Sequence, residues 1–207
     1  MSKFMLRALT IAMSTAVLGL PLAVRAESNV QTAAATNATA RLDFRITVPR
    51  VLFLQVGTGT NLATNATIDL IDFVVPAASI GSGTAIAATA VSGDLGNGTV
   101  TARVLGNNGN VTLTSTTTGA LGNGAGDTIS FAQIAATSAV LTSATALAAP
   151  ALADAATTST TVPAAGKIVN RDAKWTFSFL NSAVVPPGTY GGVNANNSRV
   201  TYTASMP

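Results

Sequence analysis

Residues 40–56 read ARLDFRITVPRVLFLQV, and this stretch holds the strongest strand pattern in the chain. From residue 42 to residue 48 apolar and polar side chains alternate, which is the period of a strand with one dry face and one wet face. The apolar positions are Leu42, Phe44, Ile46 and Val48. Pro49 removes a backbone donor, and residues 51–56 then form an almost unbroken apolar run, typical of a strand covered on both sides. The stretch predicts a β-protein.

The first residues form a targeting segment. Lys3 and Arg7 precede an apolar run over residues 8–20, and Val24-Arg25-Ala26 provides small residues for cleavage after Ala26. We therefore expect a signal peptide over residues 1–26, a flexible segment over 27–39 and a single β-domain over 40–207. The expected location is secreted, extracellular or at the cell surface, with no integral membrane segment after cleavage.

Charge and composition narrow the function classes. Three of the 11 Lys and Arg residues lie in the expected signal, which leaves 11 − 3 = 8 basic against 8 acidic residues and no basic face for nucleic acid. Histidine is absent, so the usual general base and the commonest transition-metal ligand are missing, and we predict no enzyme, no catalytic residue and no cofactor. Cysteine is absent too, so stability must come from packing, ladder hydrogen bonds or subunit contacts.

Further strands are expected between Gly/Asn/Pro turns. Alternating or apolar runs predict strands over 67–75, 85–91, 99–105, 111–116, 128–134, 174–180 and 199–206, while 138–156 could be a helix or small-residue strands. The GNNGN turn at 106–110 predicts a hairpin between residues 99–105 and 111–116. The expected core includes Phe53, Trp175, Phe177, Phe179 and Tyr202. The absence of a persistent helical period indicates an all-β sandwich.

Two glycine-rich loops offer the only metal candidates. Asp94 lies in GDLGNG at 93–98, and Asp127 ends GALGNGAGD at 119–127. Both could supply oxygen ligands to calcium, but the loops lack the regularly spaced acids of strong calcium sites. Plain turns are the simpler interpretation, and no metal is predicted.

The end of the chain carries a family resemblance. PPGTYGG at 186–192 leads into NNSRVTYTASMP at 196–207, an alternating final strand. This pattern resembles the C-terminal end of secreted pilin and fimbrial-type subunits, including the spore-coat-U-like and chaperone–usher groups. The resemblance implies an incomplete immunoglobulin-like sandwich that is completed by a strand from the next subunit. It also implies an assembly chaperone as a further partner.

The segment over residues 38–48 is the candidate donor strand, because it is alternating, near one end and followed by a proline hinge. In that hypothesis Leu42, Phe44, Ile46 and Val48 form the subunit interface of a homopolymer built by strand addition. The alternative is that the segment is the first strand of its own sandwich. The predicted function is a structural subunit of an extracellular fibre, and the alternative is a monomeric adhesin or carbohydrate-binding module.

Overall fold

The computed structural model describes residues 28–32 and 37–207, so the expected signal peptide lies outside the described residues. A compact unit extends from Pro49 to Pro207, and the residues up to Val48 form a separate unit. In the described part of that separate unit no helix or strand is present, and every side chain is exposed.

The compact unit is all-β, as the sequence predicts. Its described residues form ten strands and two single-turn 3-10 helices. The strands are β1 (Leu52–Val56), β2 (Ile86–Ala87), β3 (Thr99–Gly106), β4 (Val111–Thr116), β5 (Leu121–Gly122), β6 (Thr128–Ile129), β7 (Ile134–Ala139), β8 (Thr157–Val162), β9 (Val169–Phe179) and β10 (Thr201–Ser205). The 3-10 helices span Ala77–Ser79 and Phe131–Gln133.

Two antiparallel sheets form the layers. In the five-stranded sheet, β3 lies between β1 and β9, while β2 and β7 pair with the far end of β9 on its two sides. In the three-stranded sheet, β4 lies between β10 and β8. A two-stranded ribbon of β5 and β6 stands apart.

The core fills the space between these two layers. Every second residue of β9 from Ala173 onward is buried, and Trp175 is fully buried with its indole N–H donating to the Leu147 carbonyl at 2.7 Å. The Tyr202 ring on β10 lies 5.4 Å from the Trp175 ring, which joins the two sheets through an aromatic pair. The predicted core positions Trp175, Phe177 and Phe179 are confirmed as buried.

The predicted hairpin of residues 99–105 and 111–116 is wrong. Both segments are strands, but β3 pairs with β1 and β9, whereas β4 pairs with β10 and β8. The turn at residues 107–110 therefore crosses from one sheet to the other. Apolar side chains on both strands, such as Val104 and Val111, then face the same core from opposite layers, which buries more surface than a flat hairpin.

Several other predicted strands are shorter than expected or not formed. Residues 67–75 make no strand, although Ile71 and Phe73 pack against the core, and the expected strands at 85–91 and 128–134 shrink to β2 and β6. Residues 140–156 contain neither helix nor strand. Phe53 is only half-buried and lies outside the core, because β1 is an edge strand whose odd positions face away from the second sheet.

Candidate subunit interface

The alternating segment before Pro49 is not paired with any strand in the single chain. Residues 37–48, the described part around the candidate donor, form no β-ladder. The exposed fractions of its apolar side chains are 66% for Leu42, 84% for Phe44, 87% for Ile46 and 74% for Val48. The alternative, that this segment is the first strand of its own sandwich, remains a prediction alongside strand donation. Four large apolar side chains at period two are left in water.

One edge of the five-stranded sheet is open along β1. The bonds from the Asn107 amide to the Val51 carbonyl (3.3 Å) and from the Gly57 amide to the Thr101 carbonyl (2.7 Å) show that odd residues of this strand face β3. The backbone groups of the even residues therefore point away from the sheet. Among the described residues no backbone group meets them. These even residues are Leu52, Leu54 and Val56; Leu54 and Val56 pack against the core without being fully covered, whereas Leu52 is exposed.

The three-stranded sheet is open in the same way along β10. The Thr117 amide donates to the Ala156 carbonyl at 3.1 Å, so odd residues of β4 bond to β8 and even residues bond to β10. The backbone groups of Tyr202 and Ala204 consequently face outward, and nothing in the described part of the chain pairs with them. Their side chains and that of Met206 are half-buried against the core.

The two open edges lie beside each other. β1 and β10 contact one another, and at the end of β3 both Leu52 and Met206 approach Gly106. A groove of about 410 Å³ also runs along β1, between residues 51–54 of that strand and residues 62–65 of the following loop. The side of the sandwich where β1 and β10 meet thus combines unpaired backbone with incompletely covered apolar side chains. We call this region the open seam.

A cluster of asparagine and arginine contacts fixes the start of the compact unit at the seam. The Asn107 side chain donates to the Pro49 carbonyl at 2.7 Å and accepts from the Val51 amide at 2.8 Å. The Arg50 guanidinium donates to the Met206 carbonyl at 3.1 Å and to the Pro207 oxygen. The start of β1 and the end of β10 are therefore held by the same three-residue hinge, residues 49–51.

Burial has an electrostatic effect inside the seam. Tyr202 packs against the core, and desolvation raises the pKa of its phenol well above the usual range. The phenol is neutral at physiological pH with or without this shift, since its ordinary pKa is already 10.0. A neutral, apolar lining suits a strand whose inward side chains are Leu, Phe, Ile and Val.

The carboxylates of the two calcium candidates accept hydrogen bonds from nearby residues of the chain. The Asp94 carboxylate accepts from the Thr101 amide at 2.8 Å, and the Asp127 carboxylate accepts from the Asn123 side chain at 2.8 Å. No group of three or more acidic, histidine or cysteine side chains that could hold a metal occurs among the described residues. Each carboxylate stabilises a local turn.

Comparison with known proteins adds no family. Protein-family models, curated proteins and solved structures give no match to this chain. Within the part of the chain that the structure describes, no helix is long and apolar enough to cross a membrane. The geometry of the seam and of the candidate donor therefore carries the functional inference.

The candidate donor is visible in the sequence, but the edges that could receive it are not. The alternation of residues 42–48 and of residues 200–206 can be read directly. Nothing in the sequence says that β10 and β1 lie at sheet edges, because that depends on which strands lie between them. The half-burial of Tyr202, which the sequence placed in the core, is the one local consequence.

Proposed function

We propose that this chain is an exported structural subunit that assembles into an extracellular fibre by strand addition. In each junction the candidate donor of one copy, residues 38–48, places its alternating part, residues 42–48, in the open seam of the next copy. The observation that carries the proposal is the coexistence of four exposed apolar side chains at strand spacing with two adjacent unpaired sheet edges. Exposed apolar side chains and unpaired sheet edges are both unfavourable in water. The seam would bury the apolar side chains, and the donor would pair with the open edges.

The dimensions of donor and seam agree. Seven residues of extended chain span about 20 Å. The two edges of the seam are formed by strands of five residues each, Leu52–Val56 and Thr201–Ser205. A donated strand could therefore lie along the whole of either edge and add a ladder of backbone hydrogen bonds.

Charge also favours association of identical copies. Once the expected signal peptide is removed, 8 basic and 8 acidic residues remain, so like copies repel one another only weakly. The resemblance at residues 186–207 to pilin and fimbrial-type subunits supports the same function. Aromatic residues for a carbohydrate-binding face are not available at Trp175, Phe177 or Phe179, since all three are buried.

Negative-stain electron microscopy tests the proposal first. Purified mature protein and material sheared from producing cells are expected to contain regular fibres that include this chain. A variant lacking residues 27–48 is expected to remain folded, because the compact unit begins at Pro49, but to stay monomeric. Monodisperse small particles in both full-length samples would rule out self-assembly as the main role.

A further inference from the structure

A polar cavity lies on the outer face of the five-stranded sheet, away from the core. Its volume is about 220 Å³, below the roughly 300 Å³ at which pockets for drug-sized ligands begin. A single small polar molecule or one residue of a polymer would fill it. The cavity is lined by Phe53, Asn61, Arg103, Leu105, Asn170 and Asp172, together with Thr142.

Arg103 is the cation of this cavity, and the polar side chains on either side of it form hydrogen bonds to other groups. In the sheet it stands between Gln55 on β1 and Asp172 on β9. The Gln55 amide nitrogen donates to the carbonyls of Gly57 (2.9 Å) and Gly59 (3.2 Å). The guanidinium of Arg103 makes no hydrogen bond or ion pair with any described residue. A half-buried guanidinium with five donors is therefore available to a ligand.

The Asp172 carboxylate is held away from Arg103 by the loop that follows β7. It accepts from the amides of Thr142 and Ser143, each at 2.8 Å, and from the Thr142 hydroxyl. Three donors nearly fill the acceptor capacity of one carboxylate. Its negative charge nevertheless balances the positive charge of Arg103, so the cavity as a whole has no strong preference for an anion.

Two amides complete the polar lining. Asn61 and Asn170 are both exposed, and neither side chain bonds to a described residue. An amide side chain both donates and accepts, so these two and Arg103 together suit a ligand that carries donors and acceptors on neighbouring atoms. Sugar hydroxyls have that property. Phe53 adds an aromatic surface against which a sugar ring can pack.

We propose that this cavity binds a single sugar residue, with Arg103, Asn61 and Asn170 hydrogen-bonding its hydroxyls and Phe53 contacting its ring. This site would give the chain a second function, the recognition of glycans, and it does not depend on fibre assembly. Its polar lining lies on the outward face of the sheet, whereas the seam uses mainly the backbone edge of β1; Phe53 borders both the cavity and the groove along β1.

The test is a sugar titration of the full mature chain followed by two-dimensional amide NMR. The probes are glucose, galactose, N-acetylglucosamine and glucuronate, each at millimolar concentration, with sodium acetate as the simple anion. We expect at least one sugar to shift the amides of Phe53, Leu105 and Asn170 in a saturable manner. Shifts with acetate alone, shifts confined to other regions, or no shifts with any sugar would overturn the proposal.

Matched variants connect binding to the named side chains. Arg103→Met is expected to weaken sugar binding at least tenfold, while Lys174→Met, on the same face of β9 but outside the cavity, leaves it unchanged. Asn170→Ala provides a second variant whose exposed position does not endanger folding, and we expect a several-fold loss. Equal binding by wild type, Arg103→Met and Asn170→Ala would also overturn the proposal.

Discussion

Replacing Phe44 by alanine should weaken the junction between subunits without changing the stability of the single chain. In the isolated chain 84% of the Phe44 side chain is exposed, so its truncation should alter the free energy of unfolding by less than about 0.5 kcal/mol. A fully buried phenylalanine removes about 150–250 Å² from water, worth about 4–6 kcal/mol at roughly 25 cal/mol per Å². Because alanine keeps part of this area and the seam is shallower than a core, we expect a loss of about 2 kcal/mol.

That loss corresponds to roughly a 30-fold weaker junction, since about 1.4 kcal/mol is a factor of ten. The assay uses a fluorescent peptide of residues 38–48 and the variant that lacks residues 27–48, with anisotropy as the readout. Peptides with the wild-type sequence, Phe44→Ala and Arg45→Ala are compared. Arg45 is the matched control, because in a strand it faces the side opposite to Phe44.

We expect the Arg45→Ala peptide to bind within about threefold of the wild type, as is common for a charge at the rim of an interface. Equal binding of the Phe44→Ala and wild-type peptides would show that the dry face of the donor is not what the seam recognises. An equal loss for both variants would show that charge, rather than apolar burial, drives the contact.

Three further predictions concern the compact unit itself. Burial raises the pKa of Asp172, but the hydrogen bonds from Thr142 and Ser143 outweigh it and lower this pKa to about 2. The resulting stabilisation is therefore present above about pH 4, the usual pKa of an aspartate, and is lost as the pH falls toward 2. In urea melts, Asp172→Asn should lower the free energy of unfolding by about 1–2 kcal/mol at neutral pH and by progressively less in acid. Equal stability of the variant and the wild type at pH 7 would contradict this prediction. Gly93→Ala should lower Tm by several degrees more than Gly83→Ala. Both glycines have a positive φ, but only at Gly93 would a Cβ clash with the Thr99 carbonyl oxygen. Equal decreases in Tm for the two variants would mean that the structure relieves this clash. Asn107→Ala removes bonds to Pro49 and Val51, so hydrogen exchange at the Val51 amide should accelerate, and an unchanged rate would refute the hinge contact.

The sequence predicts a β-strand correctly where one face of a segment is buried along its whole length. The alternation of residues 174–180 identifies the centre of β9, and that of residues 199–206 identifies β10, because burial of one face imposes a period of two. Partners were not predictable from the same signal. β3 and β4 are joined by a turn that suits a hairpin, yet they separate into different sheets because longer-range pairing with β9 and β8 covers them better.

Residues 67–75 show why a strand-like sequence need not form a strand. Apolar side chains lie on both faces of this segment, so no single face fixes its register. One face packs against the core through Ile71 and Phe73, but the only backbone-to-backbone bond to it from the described residues is the Thr89 amide to the Asp72 carbonyl at 2.8 Å. Ile68, Leu70 and Val74 remain exposed on the other face.

The backbone at residues 49–51 bears on the proposed donation of a strand to another copy. A tight hairpin with β1 would place its turn at residues 49–51. A two-residue hairpin turn requires positive φ, but proline fixes φ near −65° and none of these three residues has a positive φ. Asn107 further holds Pro49 and Val51 in their present positions. Residues 49–51 therefore do not form such a tight turn, and in the proposed assembly the edge of a neighbouring copy buries Leu42, Phe44, Ile46 and Val48.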